Sequence, residues 1–240
     1  MSKTLRAANR SERVPFKIPR SVQQSIPIQC IYRDGIWQVN GKYSQTWRFA
    51  DINYSLASYE DQRDMFTSYC GVLNSLPTDA VTKITIYNRR LNSSDFQHSV
   101  LMQERGDPMD KYRREYNQVL IEKASASNNL IQDKYITVSV ARKSADEARA
   151  FFHRVDADLS KNLGRLDSGA KALDAYERLR IFHDFFRPGE EQFYKFDLGE
   201  TMRLGRSFKD CIAPDGMKFL ADHFELGSKV GRVLFMRDYS

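Results

Sequence analysis

The clearest pattern of hydrophobic and polar residues lies within residues 134–166. It opens with strict alternation, which places Ile136, Val138 and Val140 on one face of an extended segment and polar residues on the other. A period of two residues is that of a β-strand with one buried face. The sequence therefore predicts a strand over residues 134–141 whose aliphatic face packs against the rest of the domain.

The period changes directly after this strand. Ser144 and Glu147 have the spacing of a capping box, in which each side chain hydrogen-bonds an amide at the start of a helix. Apolar residues follow at helical spacing, namely Ala148, Phe151, Phe152, Val155, Leu159, Leu163 and Leu166. The pattern predicts an amphipathic helix of about six turns.

An earlier part of the chain repeats this alternation of strands and helices. Residues 43–49 and 81–88 are predicted strands, with Ile84 and Ile86 on the buried face of the second strand. Between them, a helix is predicted over residues 58–76. Its predicted inward stripe is Gln62, Met65, Phe66, Tyr69, Cys70, Leu73 and Leu76.

The order of these elements predicts a fold class. With residues 92–130 set aside as an insertion and a short strand added at 170–173, the order is βαββαβ, that of the ferredoxin-like fold. Strands with only one apolar face favour an antiparallel sheet, and hence an α+β protein. The insertion is predicted to contain a helix over residues 107–126. One side of that helix consists of Met109, Tyr112, Tyr116, Val119, Leu120 and Lys123.

Further β-structure is predicted on both sides of this unit. Asp34-Gly35 and Asn40-Gly41 are hairpin signals that divide residues 28–50 into a small three-stranded meander. Beyond the unit, alternation predicts a strand over 192–198 and a C-terminal β-hairpin over 223–239.

One predicted helix, over residues 174–187, has no place in the simple ferredoxin-like order. Asp174 and Glu177 provide its cap, and its apolar residues cover more than half of its circumference. Such a helix is either sandwiched between two layers or exposed for a partner. The residues that distinguish the two hypotheses, as core or as interface, are Phe182, Phe185 and Phe186.

The distribution of charge indicates a boundary between a basic N-terminal segment and the rest of the chain. The chain has 240 residues, of which 41% are hydrophobic, as expected for a globular protein. Of its net charge of +6, residues 1–20 supply +5, from six basic residues against Glu12 alone, which leaves +1 for the rest. The six basic residues are Lys3, Arg6, Arg10, Arg13, Lys17 and Arg20. We predict a basic flexible arm over 1–27 and an α+β assembly domain over 28–240, with a candidate subdivision near 188–190.

The arm has three alternative interpretations. It is a solvated tail, an attachment to anionic lipid, or a contact with nucleic-acid phosphates. Each basic residue near an anionic membrane contributes about 1 kcal/mol of attraction. Phosphate contacts would instead make binding to nucleic acid strongly dependent on salt.

The sequence offers few groups for catalysis. Three widely spaced cysteines fit a reducing compartment, and Glu190-Glu191 and Asp156/Asp158 are predicted to lie on solvated faces. The histidines lack metal-ligand spacing and are predicted at a surface or an interface; they are His98, His153, His183 and His223. No glycine-rich phosphate loop or nucleophile elbow occurs in the sequence. These observations favour a binding or assembly domain with no cofactor or metal of its own, and a hydrolase with an unrecognised site is a minor alternative.

Six segments together resemble one protein family. They are residues 17–27, 49–54, 83–92, 135–139, 173–187 and 231–235. The chain is similar to the N-terminal region of the CagE/TrbE/VirB-type conjugal transfer ATPases, in the form found on conjugative transposons and plasmids of Gram-positive bacteria. The resemblance extends from about residue 15 to the end. Its most widely shared part is Glu177-Arg178-Leu179.

The resemblance implies a docking domain that precedes a RecA-like motor. No Walker A sequence occurs here, so no catalytic residue is carried over, and ATP and Mg are expected only in the motor. The implied partners are inner-membrane channel proteins of a type IV secretion system, the protein's own ATPase domain and other copies. The implied location is cytoplasmic, peripheral at the inner face of the cell membrane. A chain that stops on an apolar strand is expected to continue into the motor.

A second hypothesis comes from another class of function. The predicted polar face of the sheet and the basic arm together suggest a nucleic-acid-binding module. The polar-face residues are Lys83, Thr85, Tyr87, Arg89 and Arg90.

Overall fold

A computed structural model describes residues 19–90, 100–126 and 130–236. The described helices are α1 (Val22–Ser25), α2 (Tyr59–Asn74), α3 (Asp110–Ala126), α4 (Ala145–Gly164), α5 (Ala175–Phe186) and α6 (Leu198–Arg203). The strands are β1 (Ile28–Ile31), β2 (Trp37–Val39), β3 (Lys42–Phe49), β4 (Val81–Arg90), β5 (Leu130–Ala141), β6 (Ala170–Ala172), β7 (Met217–Phe219), β8 (Phe224–Leu226) and β9 (Lys229–Gly231).

The main sheet confirms the α+β class and the predicted βαββαβ core. Its strands follow the order β1-β2-β3-β5-β4, and β6 also pairs with β3. All of these pairs are antiparallel, so β6-β3-β5-β4 with α2 and α4 forms the ferredoxin-like unit. β3 uses one edge twice, because its first residues pair with β2 and its last residues pair with β6.

The first hydrophobic core lies between this sheet and helices α2 and α4. The aliphatic face of β5 is fully buried here, together with Trp47 of β3 and Leu159 of α4. Trp47 also donates a hydrogen bond of 2.6 Å from Nε1 to Asp156 Oδ1, which ties the sheet to α4. Ser144 caps α4 by accepting from the amide of Glu147, as predicted.

Helix α5 forms a third layer on the opposite face of the sheet. Its Leu179 is fully buried in a second core with Trp37 of the meander, Tyr194 and Ile212. Asp174 and Glu177 make the complete capping box that starts the helix. Of the two alternatives for this helix, the burial of Leu179 against the meander favours the sandwiched one, although Tyr176 and Phe185 stay exposed.

A close backbone contact holds α5 against the meander. Gly35 has φ +79, and a Cβ atom there would lie 1.9 Å from the carbonyl oxygen of Leu173. Only glycine fits this turn, for reasons of both conformation and space. The buried Arg178 donates to the carbonyl oxygens of Gly35 (2.5 Å) and Ser44 (2.8 Å). Its guanidinium also stacks on Trp37, at 4.1 Å from the ring centroid.

Two predictions about buried faces are wrong. Ile84 and Ile86 of β4 are 41% and 57% exposed, because β4 is the edge strand and the core helices pack over the centre of the sheet. In α2, Val72 is buried, whereas Phe66 and Leu73 of the predicted stripe are exposed. Val72 lies on the side of α2 that packs into the core with α4, and Phe66 lies on the side that faces solvent.

The region beyond α5 also departs from the predicted pattern. A 3₁₀ turn (Glu191–Phe193) and helix α6 replace the strand predicted over 192–198, with Asp197 capping α6. The hairpin predicted over 223–239 is confirmed only next to its turn, as β8 and β9, and β7 adds a third strand. β9 ends at Gly231, and the apolar residues 233–236 lie outside any strand and are exposed.

Candidate functional site

A cleft of about 700 Å³ lies between α5 and the polar face of the main sheet. The register places Arg48, Asp133 and Tyr135 on this face, opposite the aliphatic core. Tyr87 and Arg89 of β4 continue the same face, since they pair with Asp133 and Ile131 of β5. The cleft is therefore lined on one side by the predicted polar face of the sheet and on the other by α5.

Asp133 organises the floor of the cleft. Its carboxylate is 3% exposed and accepts from Arg48 Nη2 at 2.6 Å and from Arg89 Nε at 2.7 Å. Losing either arginine leaves this buried carboxylate less well compensated and is therefore destabilising. This network fixes two guanidinium groups in place and neutralises part of the polar patch.

Two tyrosines beside Asp133 stay protonated. Burial raises the pKa of Tyr87 to about 12, with a further contribution from the charge of Asp184. Burial likewise raises the pKa of Tyr135 to about 12, and the charge of Asp133 adds to it. A phenol with such a pKa is neutral near pH 7 and offers an O–H donor to a ligand.

The described lining of the cleft carries balanced charge. The basic lining residues are Arg48, Arg89, Lys171 and Arg180, and the acidic ones are Asp133, Asp174, Glu177 and Asp184. Lys171 and Glu177 form an ion pair of 2.5 Å within this set. Four charges of each sign favour a ligand with mixed polar groups over a polyanion.

The three phenylalanines of α5 have different environments. Phe182 packs on Trp37 with ring centroids 4.9 Å apart, at the edge of the second core. Phe185 is 47% exposed and meets the ring of Tyr87 at 6.4 Å. Phe186 is half-buried and packs between the other two, with its ring centroid 6.0 Å from that of Phe182 and 5.3 Å from that of Phe185. Phe182 is thus a core residue, and Phe185 is the one of the three that lies open to solvent.

Helix α3 of the insertion, together with the residue directly before it, carries an exposed apolar stripe, which we define as Met109, Tyr112, Tyr116 and Val119. These residues lie within one third of the helix circumference and are 46–61% exposed. The helix start is held by Arg113, which forms ion pairs with Asp107 and Asp110. Amide hydrogen bonds from Arg105 and Gly106 also lower the pKa of Asp110. These four residues belong to the side predicted from the sequence, and of its other two residues Lys123 is exposed and Leu120 is half-buried.

The basic arm is described only near its end. Lys3, Arg6, Arg10, Arg13 and Lys17 lie outside the described residues. Arg20 is exposed, and its backbone N–H donates to Gln24 Oε1 at 2.8 Å. Arg90 has no described side chain, whereas Lys83 is exposed on the polar face beside β5.

The histidines are predicted at a surface or an interface, and His183 is instead buried within the fold. Its ring is 3% exposed, lies 5.1 Å from the ring of Tyr194, and has Nδ1 3.3 Å from Asp184 Oδ1. His153 is exposed, as predicted, and His98 lies outside the described residues. Among residues 19–90, 100–126 and 130–236, the structure assembles no group of three or more metal-ligating side chains.

Sequence reasoning missed Asp133 and Arg178. A signal for Arg178 exists, because it falls on the same side of α5 as Ala175, Leu179 and Phe182. Asp133 shares the two-residue period of Tyr135, and this phase places it on the polar face. Its burial depends on the arginines of two other strands, so no local pattern could indicate it.

No family model matches the chain, and no curated protein matches it significantly. Within the described part of the chain, no helix combines the length and apolar character that a membrane span requires.

Proposed function

We propose that this chain is the non-catalytic N-terminal assembly domain of a type IV secretion ATPase for conjugative DNA transfer. In this role it holds the motor against inner-membrane channel proteins and against other subunits, at the cytoplasmic face of the membrane. ATP and Mg would bind only in the motor. The observation that carries the proposal is the exposed apolar stripe on α3, supported by the resemblance of the six sequence segments.

The stripe has the features of a docking surface. Its two tyrosines combine large apolar area with a polar tip, the residue type that dominates binding energy at protein interfaces. A helix with apolar residues at spacings of three and four fits a groove or a second helix. Met109 adds an adaptable contact at one end of the stripe.

The three residues that carry the most widely shared part of the resemblance, Glu177, Arg178 and Leu179, each have a structural role in this fold. Glu177 completes the capping box of α5, Arg178 bonds two carbonyl oxygens of the sheet layer, and Leu179 is fully buried. Glu177 thus fixes the start of α5, and Arg178 and Leu179 hold the helix against the meander. This supports a common scaffold with the family, on which the insertion presents its stripe.

The proposal is tested by binding of the purified chain to the cytoplasmic part of a channel membrane protein. Tyr112→Ala with Tyr116→Ala should weaken binding at least about tenfold, because central tyrosines contribute about 2 kcal/mol or more each. Tyr59→Ala is the matched control, since Tyr59 is an exposed aromatic residue on a different helix. Binding that the double variant leaves unchanged contradicts the role of the stripe.

A second measurement addresses the class of protein. ATP hydrolysis by the purified chain should stay at the level of a buffer control, both with and without Mg. Turnover that scales with protein concentration and persists through further purification would contradict a non-catalytic domain.

The nucleic-acid hypothesis retains one supporting observation. Lys83 is exposed, and the side chain of Arg48 is 56% exposed, on the same polar face. A gel-shift series with and without residues 1–20 distinguishes the two functions. Retained DNA binding by the trimmed chain, falling steeply with salt, would favour the nucleic-acid module.

A further inference from the structure

Strand β4 is an unusually open edge of the main sheet. It pairs with β5 through ten consecutive residues, from Val81 opposite Ser139 to Arg90 opposite Leu130, with no break in register. Within the described chain its other edge borders no strand. Val81, Ile84 and Ile86 are 61%, 41% and 57% exposed.

The backbone of this edge is available for pairing. In a strand, every second residue directs its N–H and C=O groups away from the neighbouring strand. Among the described residues, no backbone hydrogen bond joins Val81–Asn88 to any segment other than β5. Open edges are commonly protected by proline, bulges or several charges. The segment 81–88 has no proline, no bulge and one charged residue, Lys83, while Arg89 and Arg90 lie at the end of the strand.

We infer that β4 pairs antiparallel with β4 of a second copy, around a two-fold axis at Thr85. In this register Ile84 lies opposite Ile86 of the second copy, and the reverse pair follows by symmetry. Four isoleucines then cover one another on the helix face of a continuous sheet. On the polar face, Lys83 lies opposite Tyr87 of the second copy, where a cation and an aromatic ring attract each other.

Neighbouring registers are less favourable. Directly opposed residues in an antiparallel pair share a face, so the axis can move only by whole residues. An axis at Ile86 would place Lys83 opposite Arg89 of the second copy, and opposed like charges are destabilising. An axis at Ile84 keeps one isoleucine pair and places Ile86 opposite Thr82. The axis at Thr85 is therefore the register that matches both apolar residues and separates the like charges.

This inference deepens the part of the proposed function that concerns contact between copies, and it rests on that part. The α3 stripe is not involved in it. Channel binding and self-association therefore fail or succeed separately. A chain that dimerises through β4 but does not bind the channel protein would overturn the proposed function and leave the present inference standing.

Cross-linking tests the register. In the full chain with Cys30, Cys70 and Cys211 replaced by Ser, Thr85→Cys should form a covalent dimer on mild oxidation, because opposed Cβ atoms lie about 4.5–5.5 Å apart. Thr82→Cys is the matched control, since two such positions would lie about 20 Å apart along the strands. Equal cross-linking at both positions would overturn the inference.

Analytical ultracentrifugation tests the interface without cysteine. The unmodified chain should show a concentration-dependent dimer, and Ile84→Lys should weaken it at least about tenfold. Val230→Lys is the control, because Val230 is an exposed aliphatic residue on a strand of the other sheet. A chain that stays monomeric at every concentration, or a dimer that Ile84→Lys leaves intact, would overturn the inference. Circular dichroism of each variant confirms that the fold is retained.

Discussion

Strands β4 and β5 have similar alternating sequences and opposite environments. They pair along ten residues, and Ile84 lies directly opposite Ile136 on the same face of the sheet. Ile136 is 2% exposed, whereas Ile84 is 41% exposed. The difference lies in their neighbours, because β5 has β3 and the core helices beside it and β4 is an edge. Alternation identifies the apolar face of a strand, and the place of the strand in the sheet decides whether that face is covered.

The largest expected effect is on the free energy of unfolding, when a covered and an exposed phenylalanine of α5 are compared. Phe182→Ala should lower the free energy of unfolding by about 3–5 kcal/mol, because its ring packs on Trp37 at the second core. Phe185→Ala is the matched change on the same helix and should cost well under that amount, since Phe185 is 47% exposed. Urea unfolding followed by circular dichroism measures both. Equal losses would show that burial does not separate the two positions.

A similar pair of substitutions tests the two strands directly. Ile136→Ala should lower the free energy of unfolding by about 2–5 kcal/mol, because it removes fully buried methyl and methylene groups. Ile84→Ala removes the same atoms from an exposed position and should have a small effect in dilute protein. If the loss at Ile84 approached the loss at Ile136, β4 would have a cover that the described residues do not provide.

The smallest effect expected is a loss of stability at high pH. The pKa of Tyr135 is about 12 in the folded protein, above its ordinary value of about 10, so the folded state holds the phenolic proton more tightly than the unfolded state does. The resulting stabilisation is complete below about pH 10 and is lost as the pH rises toward about 12.

Tyr135→Phe provides the corresponding measurement. Urea midpoints recorded from neutral to alkaline pH should fall less steeply in this variant than in the unmodified chain. Tyr59→Phe is the control, because Tyr59 is 82% exposed. If the urea midpoint of Tyr135→Phe fell with pH as steeply as that of the unmodified chain, other groups would control stability at alkaline pH.

Local signals were sufficient for most of the fold. Capping residues located the starts of α2, α4 and α5, and the glycine turns of the meander fixed β1, β2 and β3. The period of two and its change to helical spacing then determined the ferredoxin-like order. These features depend on residues a few positions apart, so a single sequence can display them.

The errors arose where distant residues decide the outcome. The strand predicted over 192–198 is a 3₁₀ turn and α6: Tyr194 packs against Tyr176 of α5, a contact distant in sequence, and the local cap by Asp197 starts α6. The cleft could be anticipated only in part, through its polar face. Asp133 becomes its centre only when Arg48 and Arg89 approach from two different strands.

The long pairing of β5 has a mechanical consequence. The insertion that carries α3 is connected through β4 and β5, and β5 is held to β3 by eight successive residue pairs. A pull on the insertion directed along β5 would act parallel to the strand and across its hydrogen bonds. The hydrogen bonds between β5 and β3 would then be loaded simultaneously, in shear, and would not break one after another. A partner bound to α3 would therefore transmit force to the centre of the domain without peeling the sheet apart.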